Sequence, residues 1–194
     1  MSSLTINLGD RIPCTESEGP GKRYAIWVQG CPLRCPGCCN PHLLEFKNAS
    51  IISVDLLVED ILNQNGIEGI TFVGGEPFSQ SKAAAEVCKK VKEAGLNTMA
   101  FSGFILEDLE KDSEHSEFLS HLDVLIDGPY RADLPEKDRR WIGSQNQRIH
   151  HLSNALNDRF DSRPNTVEIK MRGMEISYNG YPLKFITKEL RKQK

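Results

Sequence analysis

Four of the six cysteines in this 194-residue chain lie close together, at positions 31, 35, 38 and 39. Cys31, Cys35 and Cys38 follow a C-x3-C-x2-C spacing. A short loop of this kind can place three thiolates on one face of an iron–sulfur cubane, a cluster that usually takes four cysteine ligands. Three ligands leave one iron open to bind a substrate directly. Gly37 and the prolines of the loop suit a tight turn whose backbone approaches a cluster and its ligand.

A structural zinc site is the alternative interpretation of this loop. Zinc takes four tetrahedral ligands, and its cysteines usually come as two separated pairs. The second pair is missing here, and the adjacent Cys38 and Cys39 are poorly placed to share one ion. His42 would be a fourth ligand only by chance. We interpret Cys14 and Cys39 as ordinary thiols and Cys88 as a small core residue of a helix.

A second motif, Gly74-Gly75-Glu76-Pro77, follows the apolar run 69–73, which we predict to be a strand. Ligands of α/β sheets bind at the carboxyl ends of strands, and a Gly-Gly pair lets a ligand approach the backbone. Glu76 could accept hydrogen bonds from an ammonium group. Alone the motif also fits a plain turn, but its position after a cysteine loop that ends an earlier strand predicts a ligand site.

Apolar runs alternate with helical patterns along the chain, which predicts βα units and a mainly parallel sheet. The predicted strands cover residues 24–29, 69–73, 96–102 and 122–126. The predicted helices begin after Ser53 and cover 79–94 and 105–119, the last of them broken near Ser113. Residues 166–171 and 175–178 alternate as a hairpin does, with Gly173 near its turn.

Composition narrows the function classes. The net charge is −3 and no basic run occurs, which argues against a nucleic-acid partner. No apolar run of about 20 residues could span a bilayer, and the first residues do not resemble a signal peptide. We therefore predict a cytoplasmic protein without a membrane partner, in which reduced cysteines serve metal or redox chemistry.

The two motifs together resemble those of the radical S-adenosylmethionine (SAM) superfamily. By this resemblance, Cys31, Cys35 and Cys38 hold a 4Fe–4S cluster whose open iron is chelated by the methionine part of SAM. Residues 74–76 (Gly74, Gly75 and Glu76) contact the methionine amino group, and residues 37–39 (Gly37, Cys38 and Cys39) line the SAM site. The resemblance implies reductive cleavage of SAM to a 5′-deoxyadenosyl radical that abstracts a hydrogen atom.

A narrower resemblance is to the activating proteins of anaerobic (class III) ribonucleotide reductase. It rests on residues 18–23 (EGPGKR), 123–130 (DVLIDGPY) and 140–148 (RWIGSQNQR) and covers about residues 5–152. The family implies transfer of the radical to a glycine of a partner, the large subunit of anaerobic ribonucleotide reductase or a related glycyl-radical enzyme. Reduced flavodoxin or ferredoxin would supply the electron.

Several residues are placed more loosely. Ser102 and Asp127 end predicted strands on the side of the cysteine loop and could contact SAM, or, for Asp127, a cation; Asp127 also fits a turn. Asn146 and Gln147 could contact the partner's glycyl loop. Cys39 departs from the family, which usually has Tyr or His there, so the local SAM contact differs.

The expected fold is α/β: a partial, open (βα) barrel of the radical SAM type with a small C-terminal β extension. Residues 1–152 are predicted to form the radical SAM core, and 153–194 a β-hairpin and tail of the same domain. The predicted function is that of a glycyl-radical activase. Two alternatives stay open: a radical SAM enzyme that modifies another peptide or a small molecule, and a non-catalytic module that binds iron or zinc.

Overall fold

The computed structural model describes residues 4–160, 165–172 and 175–180. Its strands are β1 (Thr5–Thr15), β2 (Arg23–Val28), β3 (Ser50–Ser53), β4 (Gly69–Gly74), β5 (Asn97–Phe101), β6 (Val124–Asp127), β7 (Arg148–His151), β8 (Val167–Arg172) and β9 (Glu175–Gly180). Its α-helices are α1 (Val54–Leu62), α2 (Ser81–Glu93), α3 (Leu106–Leu109) and α4 (Ser113–Ser120). No helix in this described part of the chain is long and apolar enough to cross a membrane.

Seven of the strands form one open sheet in the order β3-β1-β2-β4-β5-β6-β7. The neighbouring strands β2, β4, β5 and β6 are parallel, whereas β1, β3 and β7 are antiparallel to their neighbours at the two edges. The predicted α/β class and mainly parallel sheet are confirmed. Because four strands run in one direction, the loops that follow β2, β4, β5 and β6 leave the same edge of the sheet.

The helices cover one face of this sheet. Ser53 accepts a hydrogen bond from the backbone amide of Leu56 (3.2 Å) and so begins α1, as predicted. The buried residues of α1 and α2 pack with buried side chains of the strands in one large apolar cluster. Phe118 of α4 completes it, with an edge-on contact to Phe72 and a tilted contact to Phe78.

The opposite face carries a second, smaller apolar cluster. Met99, Val124 and Ile126 of the strands pack there against Ile142 and Leu156 from the segment that follows the parallel strands. Leu156 lies beyond residue 152 and still packs on the sheet, so the described start of the C-terminal segment covers this face.

The C-terminal strands β8 and β9 pair antiparallel, which matches the predicted β extension. The predicted turn at Gly173 lies outside the described residues. Strand β9 binds the end of β1 and the loop that precedes β2, since Asn179 Nδ2 donates to Thr15 Oγ1 (2.7 Å) and the Gly180 amide donates to Glu18 Oε1 (3.0 Å).

Two sequence predictions were wrong about local structure. The strand predicted first is β2, because β1 precedes it in the chain and was not predicted. The edge strand β3, which pairs with β1, was not predicted either. The β1 sequence contains Gly9, Asp10 and Pro13 and pairs with β2 through irregular register, which hides its alternation. The helix predicted over 105–119 is two short helices, with Asp112 capping the second through the amides of Glu114 and His115.

Adjacent leucines of α1 offer a matched test of this packing. Leu57 is fully buried and Leu56 is 57% exposed. Leu57→Ala should lower the free energy of unfolding by about 2–5 kcal/mol because it leaves a cavity in the core. Leu56→Ala should change it by less than about 0.5 kcal/mol. Equilibrium urea unfolding measures both values, and equal effects would contradict the orientation of α1.

Candidate active site

The cysteine loop leaves the carboxyl end of β2 and is closed at its base by backbone hydrogen bonds. The Gly30 amide donates to the Leu43 carbonyl (2.9 Å), and the Cys31 amide donates to the Leu44 carbonyl (3.1 Å). Gly30 has φ +97°, a conformation that side chains disfavour, as the chain turns out of the strand. The loop from Cys31 onward is therefore anchored at both ends to the end of β2.

Backbone amides face the sulfur atoms of this loop. The Asn40 amide donates to Cys38 Sγ (3.4 Å), and the amides of Leu33 and Arg34 point to the Cys31 thiol. Burial raises the pKa of Cys31, while the Leu33 amide opposes this shift. Hydrogen bonds to sulfur tune iron–sulfur clusters, so the loop provides the polar surroundings that such a cluster uses.

The donor set fits a cluster with one thiolate per iron. All six cysteines are free thiols: Cys31 and Cys88 are buried, Cys39 is exposed, and the others are half-buried. Among the residues that the structure describes, no three His, Cys, Asp or Glu side chains are gathered to hold a metal ion. A single zinc ion needs its sulfurs at ~2.3 Å from one point. A cubane does not, because each of its ligands binds a different iron.

The GGEP segment packs directly against the start of the cysteine loop. The Gly75 amide donates to the Val28 carbonyl (2.9 Å), and the Glu76 amide donates to the Gly30 carbonyl (2.8 Å). A Cβ atom on Gly75 would lie 2.2 Å from the Gly30 oxygen, and one on Gly74 would lie 2.7 Å from Trp27 Cα. The close approach of two protein backbones therefore requires glycine at both positions. Their contact with SAM stays a prediction.

The Glu76 carboxylate ties the end of β4 to the end of β5. Its Oε1 accepts hydrogen bonds from the Phe78 amide and the Ser102 hydroxyl (both 3.0 Å), and its Oε2 accepts one from the Gly103 amide (2.8 Å). Burial raises the pKa of Glu76 to about 7, against these donors, because the side chain is only 1% exposed. Its negative charge also acts on Cys31, so it lies beside the cysteine loop.

Ser102, predicted from its strand end, belongs to this network. Its hydroxyl donates to Glu76 and accepts from the Phe104 amide (3.0 Å). Gly103 was not predicted as a site residue, although the Ser-Gly pair at a strand end was the signal that could have found it. The structure thus gives Ser102 a positioning contact, and its contact with SAM stays a prediction.

Asp127 ends β6 but is held by a different set of partners. It is fully buried and accepts the Leu106 amide (2.7 Å), forms an ion pair with Arg148, and lies 3.1 Å from His150 Nε2. These three partners belong to α3 and β7, and none of them lies in the cysteine loop. Its predicted role toward SAM or a cation remains a prediction.

Two other predicted residues lie against the segment that follows β6. A Cβ on Gly37 would lie 3.1 Å from Ala132 Cβ, so the tip of the cysteine loop packs on that segment. Gln147 is buried; its Oε1 accepts the amides of Gly143 and Ser144, and its Nε2 donates to the Gly128 carbonyl (3.1 Å). The Gln147 side chain therefore holds the backbone of the 128–147 loop in place.

The chain is similar in sequence to known iron–sulfur proteins. The family model described as "4Fe-4S single cluster domain" matches residues 17–150. The anaerobic ribonucleoside-triphosphate reductase-activating protein of Enterobacteria phage T4 is 32% identical over 147 residues, which cover 72% of this chain and 91% of that protein. The chain belongs to this activating-protein family. Membership confirms the predicted superfamily, and with it the α/β radical SAM fold and the two predicted cofactors, a 4Fe–4S cluster and SAM.

Two other relatives are also activating proteins. The activating protein of Escherichia coli K12 is 28% identical over 157 residues, covering 76% of this chain and 99% of that protein. The pyruvate formate-lyase-activating enzyme of Staphylococcus aureus is 31% identical over 150 residues, covering 73% of this chain and 59% of that protein. The solved structure of QueE from Escherichia coli gives a TM-score of 0.43 at 16% identity, covering 52% of this chain and 53% of that one.

Substitution of the adjacent cysteines Cys38 and Cys39 tests which of them is a cluster ligand. Cys38→Ala should remove most of the iron and the charge-transfer absorbance after anoxic reconstitution, because the cluster loses one of three protein ligands. Cys39→Ala should keep both, since its thiol is exposed and outside the C-x3-C-x2-C spacing. Iron and sulfide analysis with visible spectroscopy measures the outcome. Loss of the cluster in Cys39→Ala would show that the ligands are misassigned.

The three hydrogen bonds to Glu76 predict a stability effect. In Glu76→Gln, an amide NH2 must face the Ser102 or Gly103 donors, which leaves a buried donor without an acceptor and should cost about 1–3 kcal/mol of unfolding free energy. Glu93→Gln, at an exposed position of α2, serves as the control. Equilibrium unfolding compares them, and an unchanged stability for Glu76→Gln would argue against the network.

Proposed function

We propose that this chain generates a glycyl radical on a partner enzyme, and that the partner is the large subunit of an anaerobic ribonucleotide reductase. One observation carries the proposal: a three-cysteine loop is held by backbone contacts beside the buried Glu76, in a chain that matches 91% of a reductase-activating protein. The loop supplies three thiolates, which is the ligand number that leaves one iron free for a substrate.

When bound, the cluster would supply the electron that cleaves SAM, and SAM would supply the 5′-deoxyadenosyl group that takes the hydrogen atom from glycine. Cys31, Cys35 and Cys38 would hold the cluster. The chain's own task is to fix this loop in place. The hydrogen bonds from β4 and from the base of the loop do this, and the contact between Gly37 and the 128–147 loop positions the tip.

Three further assignments belong to the proposal. The electron donor is a reduced flavodoxin or ferredoxin, and the location is cytoplasmic, where free thiols persist. Residues 1–152 act as the radical SAM core and 153–194 as an extension of the same domain. The family match supports this division, because it ends at residue 150.

A second candidate partner is a glycyl-radical enzyme of the pyruvate formate-lyase type. The 31% identity to the Staphylococcus aureus activating enzyme favours it, although this match covers only 59% of that protein. The two candidates share the chemistry at the cluster and differ in the partner, so the partner must be tested directly.

Anoxic mixing with each candidate partner tests the function. The reconstituted chain, SAM, dithionite and a ribonucleotide reductase large subunit should give 5′-deoxyadenosine and a glycyl-radical signal in electron paramagnetic resonance. Cys38→Ala should give neither, and a reductase whose radical glycine is replaced by alanine should give no radical signal.

The remaining outcomes separate the alternatives. A radical on pyruvate formate-lyase but not on the reductase would move the chain to the second candidate. Cleavage of SAM without a radical on either protein would favour another peptide or small-molecule substrate. A complete cluster that leaves SAM intact would contradict the proposal and favour a non-catalytic module.

A further inference from the structure

A cavity lies at the end of the sheet opposite to the cysteine loop. Its volume is about 250 Å³, and its lining residues are Glu16, Pro20, Gly21, Arg140, Trp141 and Arg159. Pro20 and Gly21 precede β2, whereas the cysteine loop follows it. A strand of six residues spans roughly 20 Å. The cavity is therefore separate from the candidate active site.

Two donors in the lining have no hydrogen-bond acceptor among the described residues: Arg140 Nε and Trp141 Nε1. The two side chains are 9% and 6% exposed. Both groups can only donate, and a buried donor without an acceptor is costly enough that native proteins seldom retain one without a water, an ion or a ligand.

Arg23, at the same end of the sheet, is a buried arginine whose donors have hydrogen-bond acceptors. It is fully buried, and its Nε donates to Thr71 Oγ1 (2.6 Å), while Nη1 donates to Asn97 Oδ1 (2.6 Å) and the Pro20 carbonyl (3.1 Å). The unpartnered Nε of Arg140 is therefore a local property of the cavity.

The unpartnered donors are held in fixed positions. The Arg140 guanidinium stacks over the Trp141 ring at 4.4 Å, and its Nη2 donates to Thr166 Oγ1 (3.2 Å). The Trp141 amide donates to Asn165 Oδ1, and the ring packs edge-on against Phe160. Trp141 has φ +64°, a conformation that bulky residues rarely adopt and that clusters at functional sites. The site is thus built and preorganised.

The charges of the lining favour an anion. Arg140 and Arg159 contribute two guanidinium groups, and Glu16 contributes one carboxylate. Arg159 also forms an ion pair with Glu68 (2.7 Å), and both of these side chains are exposed. Guanidinium groups bind oxyanions through paired N–H donors, and an indole N–H adds a further donor.

We propose that this cavity binds a small phosphate-bearing ligand, whose oxygens accept hydrogen bonds from Arg140 Nε and Trp141 Nε1. The volume of about 250 Å³ lies just below the usual range of small-molecule sites, which begins at roughly 300 Å³, and it is larger than one phosphate group. The ligand is therefore either free inorganic phosphate or the phosphate end of a larger phosphoryl compound.

Isothermal titration calorimetry of the reconstituted full chain tests the proposal. Inorganic phosphate, pyrophosphate and ATP are titrated separately at an ionic strength held constant with potassium chloride. At least one probe should bind with saturation at one site per chain. Tighter binding of pyrophosphate or ATP would assign a phosphoryl compound, and tighter binding of phosphate would assign the free ion.

Three variants identify the site. Trp141→Phe keeps an aromatic ring and removes the N–H, and Arg140→Lys keeps the charge and removes Nε. Each should weaken binding about tenfold or more, as expected for loss of a charged hydrogen bond. Arg131→Gln, on an exposed arginine paired with Asp133 outside the cavity, should bind as the wild type does.

Two results would overturn the proposal. One is the absence of saturable binding by all three probes in the wild type. The other is equal affinity of the wild type, Trp141→Phe and Arg140→Lys. Thermal melting of each variant without a probe shows that it is folded, and Arg140→Lys preserves the test if Trp141→Phe does not fold.

Discussion

The close backbone contact between the ends of β2 and β4 is the constraint on which the rest of the site depends. Glu76 donates its amide to the Gly30 carbonyl, and Gly75 has no room for a side chain beside the same oxygen. Cys31 follows Gly30 directly, so this contact fixes where the cysteine loop starts. The parallel pairing of the two strands brings these segments together, because both leave the sheet at its carboxyl edge.

The same contact explains why Glu76 is buried. Its amide contacts Gly30 after β2, and its carboxylate contacts Ser102 and Gly103 after β5. The ends of β2, β4 and β5 therefore share one network. Such a network keeps a charged group beside the cysteines without exposing it to solvent. Asp127 makes an equivalent link after β6 with Arg148 of β7. Glu76 therefore connects the loops beside the cysteines, whereas Asp127 connects β6 to β7 and to the start of α3.

Local patterns predicted much of the fold and the site. The C-x3-C-x2-C spacing and the GGEP motif identified the two segments that meet, and apolar periodicity located α1, α2 and the parallel strands. Patterns could not show β1, whose alternation is broken by Gly9 and Pro13. They also could not show why position 75 must be glycine, because the obstructing atom is the carbonyl oxygen of Gly30, which follows the neighbouring strand β2. Gln147 looked like a partner contact, yet it serves its own loop. Such contacts join residues far apart in the chain, and no local pattern records them.

We infer that three thiolates leave one iron of a 4Fe–4S cluster available to SAM. Mössbauer spectroscopy of the anoxically ⁵⁷Fe-reconstituted chain, recorded with and without SAM, tests this coordination. We expect four irons per cluster, one of which changes its isomer shift when SAM is added while three stay unchanged. A spectrum that SAM leaves unaltered, or a preparation that holds zinc in place of iron, would rule out an open iron site.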